Sequence, residues 1–184
     1  MNEHGDTVRL VPKEADPLEE TLALAEEHEW QDKELGDDQP QEWHAPHEDA
    51  TVRWINDAET GVMFFEVEGP GRKTVAKQLA DAIPMLGVED LEEVVKARSD
   101  DRPSLRRALY IVATAAPATA DQRVVDLLTR HFAHEDPVVR RTAMIAAAIT
   151  RWPEFVEPIK ALQEDPDESV REVAESALQA LGAS

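Results

Sequence analysis

Hydrophobic residues recur at helical spacing through most of the chain beyond residue 72. Val75, Leu79 and Ile83 mark one face of a predicted helix that Pro84 stops. Further stripes follow toward the C-terminus, and together they predict helices over the rest of the chain. These stripes consist of Leu91, Val94 and Val95; Leu105, Ala108, Leu109 and Val112; Val124, Val125, Leu127, Leu128 and Phe132; residues 144–149; Phe155, Val156, Ile159 and Leu162; and Val170, Val173, Ala174, Ala177, Leu178 and Leu181.

The pattern differs between residues 51 and 68, which are rich in β-branched and aromatic side chains. The runs 51–55 and 62–67 flank the turn-forming stretch 56–61, and this arrangement predicts a β-hairpin. An isolated hairpin is only marginally stable in water, so it needs a third strand or a helix to cover one face. Residues 7–11 are a candidate third strand, and the helix that follows Gly71 is a candidate cover.

The first 50 residues have the weakest hydrophobic pattern of the chain. After the short predicted strand at 7–11, Asp16 and Pro17 indicate a helix start, because Asp caps free amide groups and Pro fits the first turn. A thin apolar stripe extends this helix to about Trp30. Residues 31–50 have almost no apolar periodicity and contain glycine and proline, so they are predicted to form a linker.

Acidic residues are concentrated in this N-terminal segment. Residues 1–50 contain 16 acidic and 3 basic residues, whereas residues 101–184 contain 13 acidic and 10 basic residues. Together with the hydrophobic pattern, this contrast predicts three parts. They are an acidic N-terminal arm with one short helix at 1–50, a β-hairpin at 51–70 and a helical repeat domain at 71–184.

Three segments of the C-terminal part align with one another at offsets of 34 and 31 residues. In each of them an Asp and a Pro precede a Val or Leu that is followed by Arg. The aligned pairs are Leu105-Arg106, Val139-Arg140 and Val170-Arg171, and the preceding acids are Asp101, Asp136 and Asp165. A fixed period in this range is typical of helical solenoids. The pattern resembles the HEAT-repeat family over residues 101–184, and more weakly over residues 72–100.

The resemblance implies a mainly α fold, a short α-solenoid of HEAT-like helix pairs that follows the small β-hairpin segment. It also implies a structural ladder, in which Arg106, Arg140 and Arg171 pair with the turn carboxylates Asp136 and Asp165. Solenoids of this kind present extended binding surfaces. The resemblance therefore favours a binding role over a catalytic one.

The composition excludes several kinds of function. The chain has 39 acidic and 19 basic residues, a formal net charge of −20, which disfavours binding to nucleic acid or to an anionic membrane surface. The absence of cysteine excludes disulfides, thiol catalysis and cysteine-ligated metal. The sequence shows no signal-peptide pattern and no apolar run of about 20 residues, so a cytoplasmic location is expected.

Two histidine pairs are the candidates for a metal site. His44 and His47, and likewise His131 and His134, stand three residues apart beside carboxylates, but neither pair has a strong third ligand. The sequence contains no glycine-rich phosphate loop and no nucleophile elbow. We therefore expect no metal, no cofactor and no catalysis. The resemblance leaves an enzyme of the bilin-lyase or HEAT-like DNA-glycosylase kind as the alternative of a different class.

Two tryptophans in the acidic segment are candidate binding residues. Trp30 and Trp43 are flanked by carboxylates, and an aromatic side chain among acids is a common anchor for a basic protein. Asp37, Asp38 and Glu42 would then attract this partner by their charge. The alternative is that the two tryptophans only attach the arm to the solenoid.

A second candidate surface lies on the solenoid, around Arg123, Arg130 and residues 155–160. Either surface suits a non-enzymatic module that binds a basic protein partner. An immunity-type inhibitor of a toxin or enzyme is one version, because acidic inhibitors associate faster with basic targets. An adaptor or assembly factor in a larger complex is the other version. The sequence leaves the partner and the oligomeric state open.

Overall fold

The computed structural model describes residues 2–4, 7–33 and 41–183 of the chain. The chain divides into two compact units, Met1–Gly87 and Val88–Ser184. The first unit contains a β-sheet and two helices, and the second is built from helices. The protein is mainly helical, as predicted, but its sheet is larger than the predicted hairpin.

Among the described residues, six antiparallel strands form the sheet, in the spatial order β1-β2-β6-β5-β4-β3. The strands are β1 (Asn2–His4), β2 (Thr7–Leu10), β3 (Gln31–Lys33), β4 (Gln41–Ala45), β5 (Ala50–Asp57) and β6 (Val62–Glu68). The predicted hairpin corresponds to β5 and β6 at the centre of the sheet. The predicted third strand corresponds to β2, which pairs with β6.

The segment 31–50, predicted to be a linker, instead supplies β3 and β4 on the other side of the hairpin. In β4, Trp43 and Ala45 are buried, whereas His44 between them is exposed. A strand this short, with polar residues on its outer face, is hard to predict from the sequence, because its stability comes from the strands beside it. The described parts of residues 1–50 therefore complete the sheet and do not form a separate arm.

One face of the sheet forms the core of the first unit. Val8, Val67, Val52 and Trp43 stand in one row across four neighbouring strands. The helices α1 (Leu18–Glu27) and α2 (Arg72–Ala82) supply apolar residues to the same core. These residues are Leu24 and Ala25 from α1, and Val75, Ala76 and Leu79 from α2. The predicted roles of β2 and α2 as cover for the hairpin agree with this arrangement.

The boundary between the units differs from the predicted one at residues 70 and 71. The helix α2 stays with the sheet, and the segment after it pairs with the segment after β2. Pro12 forms a bridge with Met85, and the amide of Leu86 donates to the carbonyl of Val11 at 2.8 Å. These contacts tie the chain to the first unit as far as residue 87.

Six helices form the second unit, as far as the described residues extend. They are α3 (Val88–Lys96), α4 (Arg102–Ala115), α5 (Gln122–Arg130), α6 (Pro137–Thr150), α7 (Val156–Lys160) and α8 (Glu168–Ala180). The long helix α6 packs between α4 and α8, while α3, α5 and α7 pack against α4, α6 and α8 respectively. None of the helices described in either unit is long and apolar enough to cross a membrane.

Aspartates begin the three long helices of the second unit. The side chains of Asp101 and Asp136 accept hydrogen bonds from the amides of Ser104 and Val138, at 2.9 and 2.8 Å. In the third copy the cap is Asp167, two residues after the aligned Asp165. The third copy has two extra residues before its Val-Arg pair, so Asp165 is left for another role.

Candidate functional site

The predicted binding residues of the N-terminal segment are buried in the core of the first unit. Trp43 is only 2% exposed, and Trp30 is 7% exposed and stacks on His28. Neither ring is available as a surface anchor, because the core of the sheet needs their apolar area. They also do not attach an arm, since both belong to the core of the sheet itself. Asp37 and Asp38 lie outside the described residues.

Glu42 lies in a row of ion pairs across the other face of the sheet. It accepts from Lys33 Nζ at 2.7 Å on β3 and from Arg53 Nε at 2.8 Å on β5. Arg53 Nη2 also donates to Glu68 on β6 at 2.6 Å, diagonally to this row, since Arg53 stands opposite Glu66 in the register. Hydrogen bonds from Lys33 and Arg53 lower the pKa of Glu42, although burial opposes them. Glu42 therefore holds strands together and is not free to attract a partner.

The lowered pKa of Glu42 makes the stability of the sheet dependent on pH. We expect Glu42→Gln to destabilise the first unit at neutral pH by about 1–3 kcal/mol, because Lys33 loses its carboxylate partner and Arg53 loses one of its two. The carboxylate stabilises the fold above its ordinary pKa of about 4.3, and this contribution is lost as the pH falls through the lowered folded value.

The difference between the wild type and Glu42→Gln should therefore shrink as the pH is lowered from about 5 to about 3. Urea denaturation at a series of pH values, followed through the amide signals of β4 and β5, measures it. Glu27→Gln, at an exposed position on α1, is the matched control. A difference that stays constant with pH would contradict the proposed role of the ionised carboxylate.

A groove between α3 and α5 contains one of the two predicted arginines of the second unit. Its volume is about 320 Å³, and its apolar lining comes from Val88, Leu91, Val124 and Leu127. The groove forms because both helices are amphipathic and meet along their apolar faces. In α5, for example, Val124, Val125, Leu127 and Leu128 are buried, whereas Gln122, Arg123, Asp126 and Arg130 are exposed.

Charged residues surround this apolar lining. Arg123 contributes to the lining and pairs with Asp121 through Nε and Nη2, at 3.0 and 2.7 Å. Arg130, which lies nearby on α5, makes a bidentate pair with Glu92, at 2.8 and 3.2 Å. Hydrogen bonds from these arginines lower the pKa values of Asp121 and Glu92. Both predicted arginines are thus exposed but already have carboxylate partners.

Glu89 and Glu92 are acids of this groove that sequence reasoning missed. Glu92 pairs with Arg130, whereas Glu89 differs. It is exposed, lines the groove and makes no hydrogen bond or ion pair with any described residue. The amphipathic pattern of α3 could have indicated its position, but the pattern does not show that α5 lies beside it. The rim of the groove therefore carries acidic as well as basic side chains, and not only the predicted arginines. Among the described residues, none forms an ion pair with the carboxylate of Glu89.

Arg140 forms the one rung of the predicted ladder that joins an arginine to the expected type of partner. Its Nε and Nη2 donate to the two carboxylate oxygens of Asp165, at 2.9 and 2.8 Å. Its Nη1 donates to the carbonyls of His134 and Glu135, at 2.8 and 3.1 Å. Burial raises the pKa of Asp165, but the hydrogen bonds from Arg140 and from the amide of Asp167, together with the charge of Arg140, outweigh it and the net shift is downward. This buried pair is structural.

Arg106 does not form the rung that the resemblance implied. Its Nε donates to the hydroxyl of Thr142 at 3.1 Å. The expected partner Asp136 pairs instead with Arg102, at 3.0 Å. Asp136 is thus paired one turn earlier on α4, and its other carboxylate oxygen caps α6.

Arg171 makes the same kind of hydrogen bond to backbone carbonyls as Arg140, in place of the expected pair with a turn carboxylate. Its Nη1 donates to the carbonyl of Asp165 at 2.7 Å, six residues before it, as Arg140 does with His134. The position six residues before the repeat arginine is thus an acid in the third copy and a histidine in the second. This explains why Arg140 finds a carboxylate in the next copy, whereas Arg106 finds none.

Comparison with known families agrees with the architecture of the second unit. A family model for HEAT repeats matches residues 88–179, which is half of the chain. The chain belongs to the HEAT-repeat family. Searches of curated proteins and of solved structures found no match. HEAT repeats suggest a protein-interaction module, and the sheet of this HEAT-repeat protein lies outside the matched residues.

The second of the two histidine pairs, His131 and His134, has local structural roles in this HEAT-repeat protein. His131 Nδ1 lies 2.8 Å from the carbonyl of Leu127, and His134 Nδ1 accepts from the amide of Asp136 at 3.0 Å. Burial lowers the pKa of His131, although the hydrogen bond with the carbonyl of Leu127 opposes it. Across the described ranges, no group of three or more His, Asp or Glu side chains is arranged to hold a metal ion.

Proposed function

We propose that this HEAT-repeat protein is a non-catalytic binding module that captures a basic segment of a partner protein in the groove between α3 and α5. The observation that carries the proposal is a groove with partly buried Val88 over a floor of Leu91, Val124 and Leu127, which are 1–3% exposed, and with the carboxylate of Glu89 at its rim. Apolar contacts supply affinity in such a groove, and a rim charge selects the partner.

The charge of the partner follows from the charges around the groove. Arg123 and Arg130 already pair with Asp121 and Glu92, so they add little attraction for an acidic ligand. Glu89 makes no hydrogen bond or ion pair with a described residue, although the charge of Arg123 acts on it, so its carboxylate is available to a Lys or Arg of the partner. The best occupant is therefore a short segment with an apolar side chain next to a basic one.

The acidity of the whole chain favours the same partner. Residues 1–87 contain 21 acidic and 7 basic residues, and residues 88–184 contain 18 and 12. Such a field raises the association rate of a basic protein, mainly at low ionic strength. It suits an immunity-type inhibitor of a basic toxin or enzyme, and it suits equally an adaptor within a larger assembly.

Selection from a random peptide library displayed on phage tests this proposal with the full chain as the target. We expect the selected peptides to contain Leu, Ile or Val beside Lys or Arg. Fluorescence anisotropy with synthetic copies of these peptides then measures the affinity. Glu89→Lys should weaken binding by about tenfold or more, because a favourable charge contact becomes repulsive.

Glu175→Lys is the matched control, since Glu175 is exposed on α8, in the other helical layer. This variant makes the same change in net charge and should leave binding nearly unchanged. Selected peptides rich in Asp and Glu, or an equal loss of affinity in the two variants, would overturn the proposal. An equal loss would mean that the overall field, and not the groove, recognises the peptides.

A further inference from the structure

The outer face of the sheet has a second polar row beside the row of ion pairs. In the strand register, Thr7 stands opposite Glu68, Glu68 opposite Thr51, and Thr51 opposite His44. These four residues come from four neighbouring strands and lie on the face opposite the core. The row therefore brings two hydroxyls, a carboxylate and an imidazole together at one end of the sheet.

This row lines a cavity of about 310 Å³. The turn at Asp49 and Ala50 and the turn at Gly69 and Pro70 complete its lining. The two turns approach closely because Gly69 has φ +103° and no side chain, and an added Cβ would lie 2.5 Å from the carbonyl oxygen of Asp49. The cavity is thus built by the fold of the first unit alone.

The charges that line the cavity favour a cation. Glu68 uses one carboxylate oxygen for Arg53, and this leaves its second oxygen without a hydrogen bond to any described residue. Asp49 is exposed and makes no hydrogen bond or ion pair with any described residue. The hydroxyl of Thr51 adds an oxygen atom that can accept a hydrogen bond. His44 adds a ring that can accept or donate, according to its tautomer.

We propose that this cavity binds the guanidinium or ammonium head of an alkyl cation, such as an arginine or lysine side chain. Carboxylates and hydroxyls that converge from several strands suit a group with several N–H donors. The volume accommodates one such side chain but not a helix or a strand. No group of three or more His, Asp or Glu among the described side chains is arranged to hold a metal ion, and this favours an organic cation as the occupant.

Titration of the isotope-labelled full chain with arginine amide, monitored by NMR, tests the proposal. The amide signals of Thr51, Glu68 and Asp49 should shift, with a dissociation constant on the order of 1 mM for so small a ligand. Citrulline amide has nearly the same shape without the charge and should bind at least about tenfold more weakly, since charge-assisted hydrogen bonds are lost. Lysine amide and an arginine-containing peptide distinguish a free cation from a side chain of a protein.

Asp49→Asn is the informative variant, because Asn tolerates the positive φ of 53° at this position. It should weaken the binding of arginine amide about tenfold, which corresponds to the loss of one charge-assisted hydrogen bond. Asp32→Asn removes the same charge from an exposed position of β3 and should bind normally. Thr51→Val removes a hydroxyl acceptor and is also expected to weaken binding. It serves as the second variant if Asp49→Asn disturbs the turn.

Three results would overturn the inference. They are equal binding of citrulline amide and arginine amide, unchanged affinity in both Asp49→Asn and Thr51→Val, and shifts by inorganic phosphate at the same residues. If these results overturn the inference about the cavity, the proposal for the groove between α3 and α5 still stands, because Glu89→Lys tests that groove alone.

Discussion

Arg140→Ala is expected to destabilise the repeat unit by about 3–5 kcal/mol, because it leaves the carboxylate of Asp165 buried without its cation. Both side chains are almost completely buried, and two direct hydrogen bonds join them. Two backbone carbonyls, those of His134 and Glu135, lose their donor as well. A loss of this size is a large part of the stability of a small domain. Urea denaturation followed by far-UV circular dichroism measures it.

Arg130→Ala is the matched control. Arg130 also makes a bidentate pair, but both it and Glu92 are more than half exposed. Water and salt screen such a pair, so its loss should cost less than about 1 kcal/mol. The double variant Arg140→Ala with Asp165→Ala should cost less than the sum of the two single variants, since neither charge is then buried alone. Similar losses for Arg140→Ala and Arg130→Ala would contradict the structural role of the buried pair.

The repeat unit could largely be predicted from the sequence because its information is local. The cap Asp101 lies within about two turns of the stripe of Leu105, Ala108 and Leu109, and the cap Asp136 lies within one turn of Val139 on its own helix. Helical periodicity and capping chemistry therefore indicate the helices without knowledge of their neighbours. The alignment of the copies then indicates that the helices stack in order.

The sheet could be predicted only in part because strands depend on distant partners. The hairpin of β5 and β6 was visible, since its two strands are adjacent in sequence. Glu42 was assigned to the surface because the sequence does not show that Lys33 and Arg53 flank it on neighbouring strands. For the same reason the sequence does not predict the strand β4. It suggests a surface role for Trp43, which in the structure belongs to the core. The cavity at Asp49 could not be predicted either, since it needs the register of four strands.

The groove between α3 and α5 shows the same limit for the candidate site. Arg123 and Arg130 were selected from the sequence as exposed cations on a helix, and both are exposed. The carboxylate partners of these arginines, Asp121 and Glu92, are harder to predict from the sequence than the exposure of the arginines. Asp121 lies two residues before Arg123 in the sequence, but Glu92 lies on another helix, and its contact with Arg130 decides that the rim is not basic. The charge of a surface therefore follows from packing as well as from composition.

Trp43→Ala is expected to destabilise the sheet unit by about 3–5 kcal/mol, the cost of removing a large aromatic side chain from a packed core. Trp43 is 2% exposed and stands in a row with Val52, Val67 and Val8. Its removal leaves a void between the sheet and its helices that a small core cannot close. Urea denaturation followed by NMR, with separate amide signals from β5 and α6, assigns the loss to one unit.

Leu22→Ala is the control for this experiment, because Leu22 on α1 is 50% exposed. It removes apolar atoms without opening a cavity, and it should change the stability by less than about 0.5 kcal/mol. The two outcomes separate a core role from a binding role. If Trp43→Ala left the denaturation of β5 unchanged but weakened peptide binding, Trp43 would be the surface anchor that the acidic sequence around it suggested. If it shifts the denaturation of β5 and leaves that of α6 in place, the tryptophan belongs to the core of the first unit.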